Sequence, residues 1–227
     1  MIMSKIITVF NQKGGCGKST ITMQISGRLG MLGHKVLIID LDPQATASIW
    51  HEQSLNSDSP KQKPFPADII QFDPNNKDLV DYVRDAIDGY EYTVIDCPPS
   101  ADVAGCSAAT MISDLVLIPT IPSPSDIWAS ATAVALINKS KEINNNLVVY
   151  LVPTMVRPNS ALSNSMIEHI ADNIDIPMTR TSIGLRTSYQ DSALNGSTVH
   201  SVPSSRKAVL EVNSLVNEII RIIKRGK

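Results

Sequence analysis

The chain has 227 residues, 43% of them hydrophobic, and a formal net charge of −2. That length suits one α/β domain with a substantial core, and so balanced a charge argues against a general nucleic-acid binder. No run of about 18 apolar residues offers a membrane span. The first strand starts too early for a signal peptide. Cys16, Cys97 and Cys106 form no C-x-x-C pair and suit a reducing compartment, so a cytoplasmic protein is expected.

Apolar runs alternate with helical stretches along the chain, the pattern of a mostly parallel, doubly wound sheet flanked by helices. Ile6 to Phe10 reads as a strand and Ile21 to Leu32 as a helix, with apolar residues at Ile21, Ile25, Leu29 and Leu32. Strands are predicted at Lys35–Asp40, Ala67–Phe72, Tyr92–Asp96, Leu115–Ile118 and Leu147–Val152. Helices are predicted at Asn76–Asp88, Val103–Ile112, Ser125–Lys141, Ser160–Asn173 and Ser204–Arg225. Ser54 to Pro66 is polar and proline-bearing and reads as a surface loop, and the stretch after Ile176 follows no clear period. No repeat or linker divides the chain, so one domain is expected over 1–227.

Between the first strand and helix lies Lys13-Gly-Gly-Cys-Gly-Lys-Ser-Thr20. A glycine-rich turn at this junction aims backbone N–H groups and a helix N-terminus at one point, which suits a polyphosphate. Gly14, Gly15 and Gly17 let the backbone curl around the anion, with Cys16 among them. Lys18 is placed to reach the β- and γ-phosphates and the Ser19 hydroxyl to ligate Mg²⁺. Gln12 stands where the usual pattern has its first glycine, and Lys13 is a second lysine that an ordinary loop does not need.

Two strands then end in acids at the edge where a doubly wound sheet binds its ligand. Asp40-Leu-Asp-Pro-Gln44 puts two carboxylates, Asp40 and Asp42, on one side of an extended segment. Asp96-Cys-Pro-Pro99 follows a hydrophobic strand, the arrangement that delivers an acid to a magnesium ion.

Together K-G-G-C-G-K-S-T, D-L-D-P-Q, V-I-D-C-P-P and Ile118 to Asp126 resemble the ParA/MinD family of deviant Walker ATPases. The likeness is strongest to short, ParF-like plasmid partition ATPases without an amino-terminal helix-turn-helix domain, for which there is no room before Lys13. The resemblance implies ATP and Mg²⁺ as cofactors and an ATP-bound homodimer that sandwiches two nucleotides. Lys13 would reach the partner's phosphates, Lys18 its own, with Thr20 near the α-phosphate. Asp42 would orient the attacking water, Asp40 and Asp96 would hold the metal's water shell, and Pro119 to Asp126 would line the adenine side.

The resemblance also implies a weak ATPase stimulated by a ParB- or ParG-like centromere-binding or adaptor protein, associated with the nucleoid through non-specific DNA. Residues 1–174 hold 12 Lys/Arg against 18 Asp/Glu, whereas residues 175–227 hold 8 against 4, so a basic DNA face is expected near the carboxyl end. Its candidates are Arg186, Arg206, Lys207, Arg221 and Lys224, with Arg180, Arg225 and Lys227 beside them. A MinD-like membrane-surface switch is the alternative, because the last helix carries an apolar stripe from Val212 to Ile223 next to basic residues.

Overall fold

Five of the strands are short runs rich in β-branched residues and buried on both faces or nearly so, as strands inside a helix-covered parallel sheet must be. The computed structural model describes residues 4–56, 63–75, 78–100, 104–157 and 160–225, and along 125–133 the backbone alone. The strands are β1 (Lys5–Val9), β2 (Val36–Asp40), β3 (Asp68–Gln71), β4 (Tyr92–Asp96), β5 (Leu115–Thr120) and β6 (Val148–Pro153). They form one six-stranded sheet in the order β3-β2-β4-β1-β5-β6, with every pairing parallel. β3, the half-exposed edge strand, closes the sheet on one side.

The helices are α1 (Lys18–Met31), α2 (Thr46–Leu55), α3 (Leu79–Ala86), α4 (Ala104–Ile112), α5 (Pro124–Ile143), α6 (Ala161–Asn173), α7 (Thr187–Leu194) and α8 (Arg206–Arg225), with a 3-10 turn at Val199–Ser201. Alternate strand residues feed two cores. Ile7 and Val9 of β1 pack with Ile21, Ile25 and Leu29 of α1, Trp50 of α2 and Val212 and Leu215 of α8. Ile6 and the following Phe10 pack on the other face with Leu79 of α3, Cys106 of α4, Ile137 of α5 and Ile170 of α6. Cys16, Cys97 and Cys106 are all buried thiols that form no disulfide.

α1 is buried on nearly all sides between sheet and α8. Gly30 permits this: a Cβ there would lie 1.6 Å from the Pro66 carbonyl oxygen, so the segment leading into β3 crosses the helix at backbone distance. α8 is amphipathic. Its apolar stripe, Ala208, Val212, Leu215, Val216, Ile219 and Ile223, is buried against the sheet and α1, where each large aliphatic side chain contributes about 1.5–3 kcal/mol. The stripe considered above as a lipid-facing surface therefore serves the core. Among the described residues no helix is long and apolar enough to cross a membrane.

Two helices lie where the sequence pattern shows none. The loop expected from Ser54 instead begins after α2, which runs to Leu55, and α7 occupies part of the stretch after Ile176. Residues 57–62 lie outside the described residues.

Candidate nucleotide-binding site

The carboxyl ends of β1, β2 and β4 meet at one edge, with Asp96 in register beside both Val9 and Asp40. The loop of residues 10–17 leaves β1 there and is held from two sides. Buried Asn11 donates from Nδ2 to the Pro119 carbonyl (2.7 Å) and accepts the Lys13 N–H at Oδ1 (3.1 Å). Thr154, just past β6, donates its hydroxyl to the Cys16 carbonyl (2.8 Å). Gly15 and Gly17 take positive φ, 74° and 94°, the left-handed turns by which successive N–H groups converge into an anion-binding concavity. Gly17 caps α1, whose N-terminal dipole adds to the same point. Lys18, 7% exposed, donates to the Lys13 carbonyl (3.1 Å) and so lies across the mouth of its own loop.

Asp40 and Asp96 differ sharply. Asp40 accepts the Asp42 N–H at Oδ1 (3.0 Å) and both the N–H (2.9 Å) and hydroxyl (2.8 Å) of Ser48 at Oδ2. Burial raises its pKa, against the pull of these hydrogen bonds. Asp96 accepts the Thr22 hydroxyl at Oδ1 (3.1 Å); its Oδ2 is buried and has no hydrogen-bond partner among the described residues. Burial pushes its pKa up to about 7, the nearby Asp40 adding to the rise while the Ser19 and Thr22 hydroxyls and the Lys18 ammonium oppose it. An unpartnered buried carboxylate oxygen next to a serine hydroxyl fits a hard cation that keeps much of its water shell. Among the described residues no group of three or more His, Cys, Asp or Glu forms a full protein cage for a metal. Buried Asp42 holds the Gln44 N–H at Oδ1 (2.9 Å) and shapes the turn into α2.

A cavity of about 250 Å³ opens beside the loop, lined by Gly17, Ser19 and Thr20 on one side and by Met155, Ile183–Arg186 and Tyr189 on the other. Met155 stands at φ 52°, a left-handed backbone that is costly for a residue with a Cβ. Among the described residues, Pro119 does not line this cavity. Pro119 sits in β5 and supplies the carbonyl that holds Asn11, and the Asp126 side chain lies outside the described residues. Arg186, expected on a DNA face, is turned onto Glu211 in the cavity wall instead. Arg206, Lys207, Arg221 and Lys224 are exposed on α8; Lys227 lies outside the described residues. Asn11, Thr154, Met155, Tyr189 and Glu211 carry no motif that marks them, because they act through the backbone, through shape or from far along the chain.

This edge can hold a polyphosphate, a cation beside Asp96 and a flat apolar group in the adjoining cavity. The family described as CbiA, the CobQ/CobB/MinD/ParA nucleotide binding domain, matches residues 7–199. The chain belongs to this CobQ/CobB/MinD/ParA family. Within the family it is 32% identical over 215 residues to maintenance of carboxysome distribution protein A of Halothiobacillus neapolitanus, covering 94% of this chain and 95% of that one. It is 26% identical to the chromosome-partitioning ATPase Soj of Thermus thermophilus, over 65% of this chain and 66% of that one. Its fold is similar to that of the septum site-determining protein MinD from Pyrococcus horikoshii complexed with Mg-ADP, with a TM-score of 0.76, 19% identity and 99% of each chain covered.

Proposed function

We propose that this ParA/MinD-type chain is an ATP-driven switch that positions a large cargo on DNA. The observation that carries the reading is the convergence, at one sheet edge, of a two-lysine phosphate loop, Asp42 and the unpartnered Asp96 oxygen. ATP lies with its triphosphate along Gly14–Gly17 and Lys18, Thr20 near the α-phosphate, and its base in the cavity walled by Met155 and Leu185. Ser19 and Asp96 would hold Mg²⁺, with Asp40 behind them, and the ion would supply counter-charge to the β- and γ-phosphates. Asp42 orients the attacking water. Lys13 reaches the nucleotide of a second copy, so the site is complete only in the ATP-bound homodimer and turnover alone is weak.

The nucleotide-bound dimer binds DNA without sequence preference through the outward face of α8. Arg206, Lys207, Arg221 and Lys224 are all exposed there, within about 100° of helical arc. A ParB- or ParG-like partner stimulates hydrolysis and release. Carboxysome distribution and chromosome partition are the tasks named for the two relatives above, and each concerns the placing of a large body. Binding to a random-sequence DNA fragment, with ATP, ADP or no nucleotide across a salt series, tests the reading. Retention only with ATP and Mg²⁺, falling steeply with salt, supports it. No binding in any state, despite ATP-dependent dimerisation, overturns it.

A further inference from the structure

Glu211 of α8 lies outside the cavity, yet it organises one wall. Its carboxylate takes the Nε and Nη2 edge of Arg186 (3.0 Å from Oε1 to Nε), the Gly184 N–H (3.2 Å) and the Tyr189 hydroxyl (2.9 Å). Gly184, Arg186 and Tyr189 all line the cavity. Backbone hydrogen bonds tie the segment before α7 to β6 and the residues just after it, through Pro177, Thr179, Ile183 and Leu185, and Glu211 adds the side-chain hold on Gly184, Arg186 and Tyr189. Seven residues further along α8, Glu218 accepts the Arg180 (2.7 Å) and Thr181 (3.0 Å) N–H groups, pinning the same segment away from the cavity.

The fork-on-carboxylate geometry also neutralises Arg186 beside a loop built for phosphate. A two-pronged pairing is directional as well as strong. It keeps the guanidinium from turning onto the anion, and leaves the wall shaped for an uncharged ring.

We propose that Glu211 is a positioning residue for the nucleoside end of the ligand, acting through Arg186 and the Gly184 N–H. The proposal rests on reading the site as one for a nucleotide. It separates two halves of recognition: the loop takes the phosphates unaided, and the wall held by Glu211 takes the base and sugar.

The test compares ATP with inorganic tripolyphosphate, both with Mg²⁺, by calorimetry on the full chain and on Glu211→Gln. The expected result is a fall of about tenfold in ATP affinity, the loss of roughly one good charge-assisted hydrogen bond, with no fall for tripolyphosphate. Equal losses for both ligands would reduce Glu211 to a fold residue and overturn the proposal, as would unchanged ATP affinity. Glu218→Gln removes the same charge from the same helix and leaves the ratio of the two affinities as it is; a matching drop there would trace the effect to general loosening and overturn the proposal too. Should Glu211→Gln not fold, Arg186→Lys, which keeps the charge but not the fork, carries the same comparison. A native chain that binds neither ligand sinks the nucleotide reading itself, and this proposal with it.

Discussion

Asp40 and Asp96 end adjacent strands in register, yet Asp40 has both oxygens filled by its neighbours while Asp96 keeps one buried oxygen unpartnered. The first acid is structural glue as well as a ligand candidate. The second has an oxygen open to the cation of the proposed site.

For Asp96 this predicts an unusual pH dependence in metal-free protein. Its folded pKa of about 7 lies above the ordinary carboxyl value of 3.8. Between those values the folded state keeps a proton that the unfolded state has released, so this group's contribution to stability falls as pH rises through that window. The slope is on the order of 1.4 kcal/mol per pH unit. Urea midpoints of the native chain and of Asp96→Asn, measured from pH 4.5 to 7.5, isolate it. The variant becomes relatively more stable toward pH 7 and loses Mg²⁺-dependent nucleotide binding.

Asp40 predicts a different effect. Ser48→Ala removes the hydroxyl from its Oδ2 but leaves the Ser48 N–H in place. The expected cost is about 1 kcal/mol. Hydrogen exchange should quicken in the first turn of α2 ahead of the rest of the fold.

Gly30 and Gly33 are close in sequence but constrained for unrelated reasons. At Gly30 an added methyl meets the Pro66 carbonyl at 1.6 Å, so Gly30→Ala forces α1 and the segment before β3 apart, at about 1–3 kcal/mol. Gly33 has open space but a φ of +93°, and its alanine variant costs about 1–2 kcal/mol of backbone strain. Crystal structures tell them apart: residues 65–67 shift only in Gly30→Ala.

For Lys13 the expectation concerns turnover. Lys13→Ala should bind ATP as the native chain does and lose the partner-stimulated rate, whereas Lys18→Ala should lose nucleotide binding. Stimulated hydrolysis surviving in Lys13→Ala would contradict a site shared between two copies.

Replacing Arg206 and Lys207 together should weaken DNA retention and lower the magnitude of the salt slope by about 2, roughly one for each phosphate no longer neutralised. ATP-dependent dimerisation should not change, as sedimentation would show.

The sequence is most legible where structure follows from neighbours in the chain. Tyr92–Asp96 stands as expected because a β-branched run bounded by a turn has few other uses. The loop from Lys13 to Thr20 is equally local. α2 escaped notice because the acceptor for its first turn is Asp40, on the preceding strand, and because Ala47, Trp50 and Ser54 are its only buried positions. α7 escaped because Arg186 and Tyr189 are anchored by Glu211, more than twenty residues away. Arg186 reads as a surface charge until that partner is known. Pro119 reads in the sequence as part of a ligand loop; the structure places it within β5, where its carbonyl accepts from Asn11.

The sorting of charge on α8 has a consequence for how the molecule travels. Glu211 and Glu218 point toward the segment before α7, while Arg206, Lys207, Arg221, Lys224 and Arg225 are exposed. A particle with almost no net charge is thus strongly polarised. Under the proposed DNA-binding reading, a polyanion would weakly repel the molecule at long range, with its net charge of −2, while exerting a turning moment that brings α8 to the front. On that reading encounter would be governed by orientation before attraction, and salt would blur which side arrives first as well as how tightly it stays.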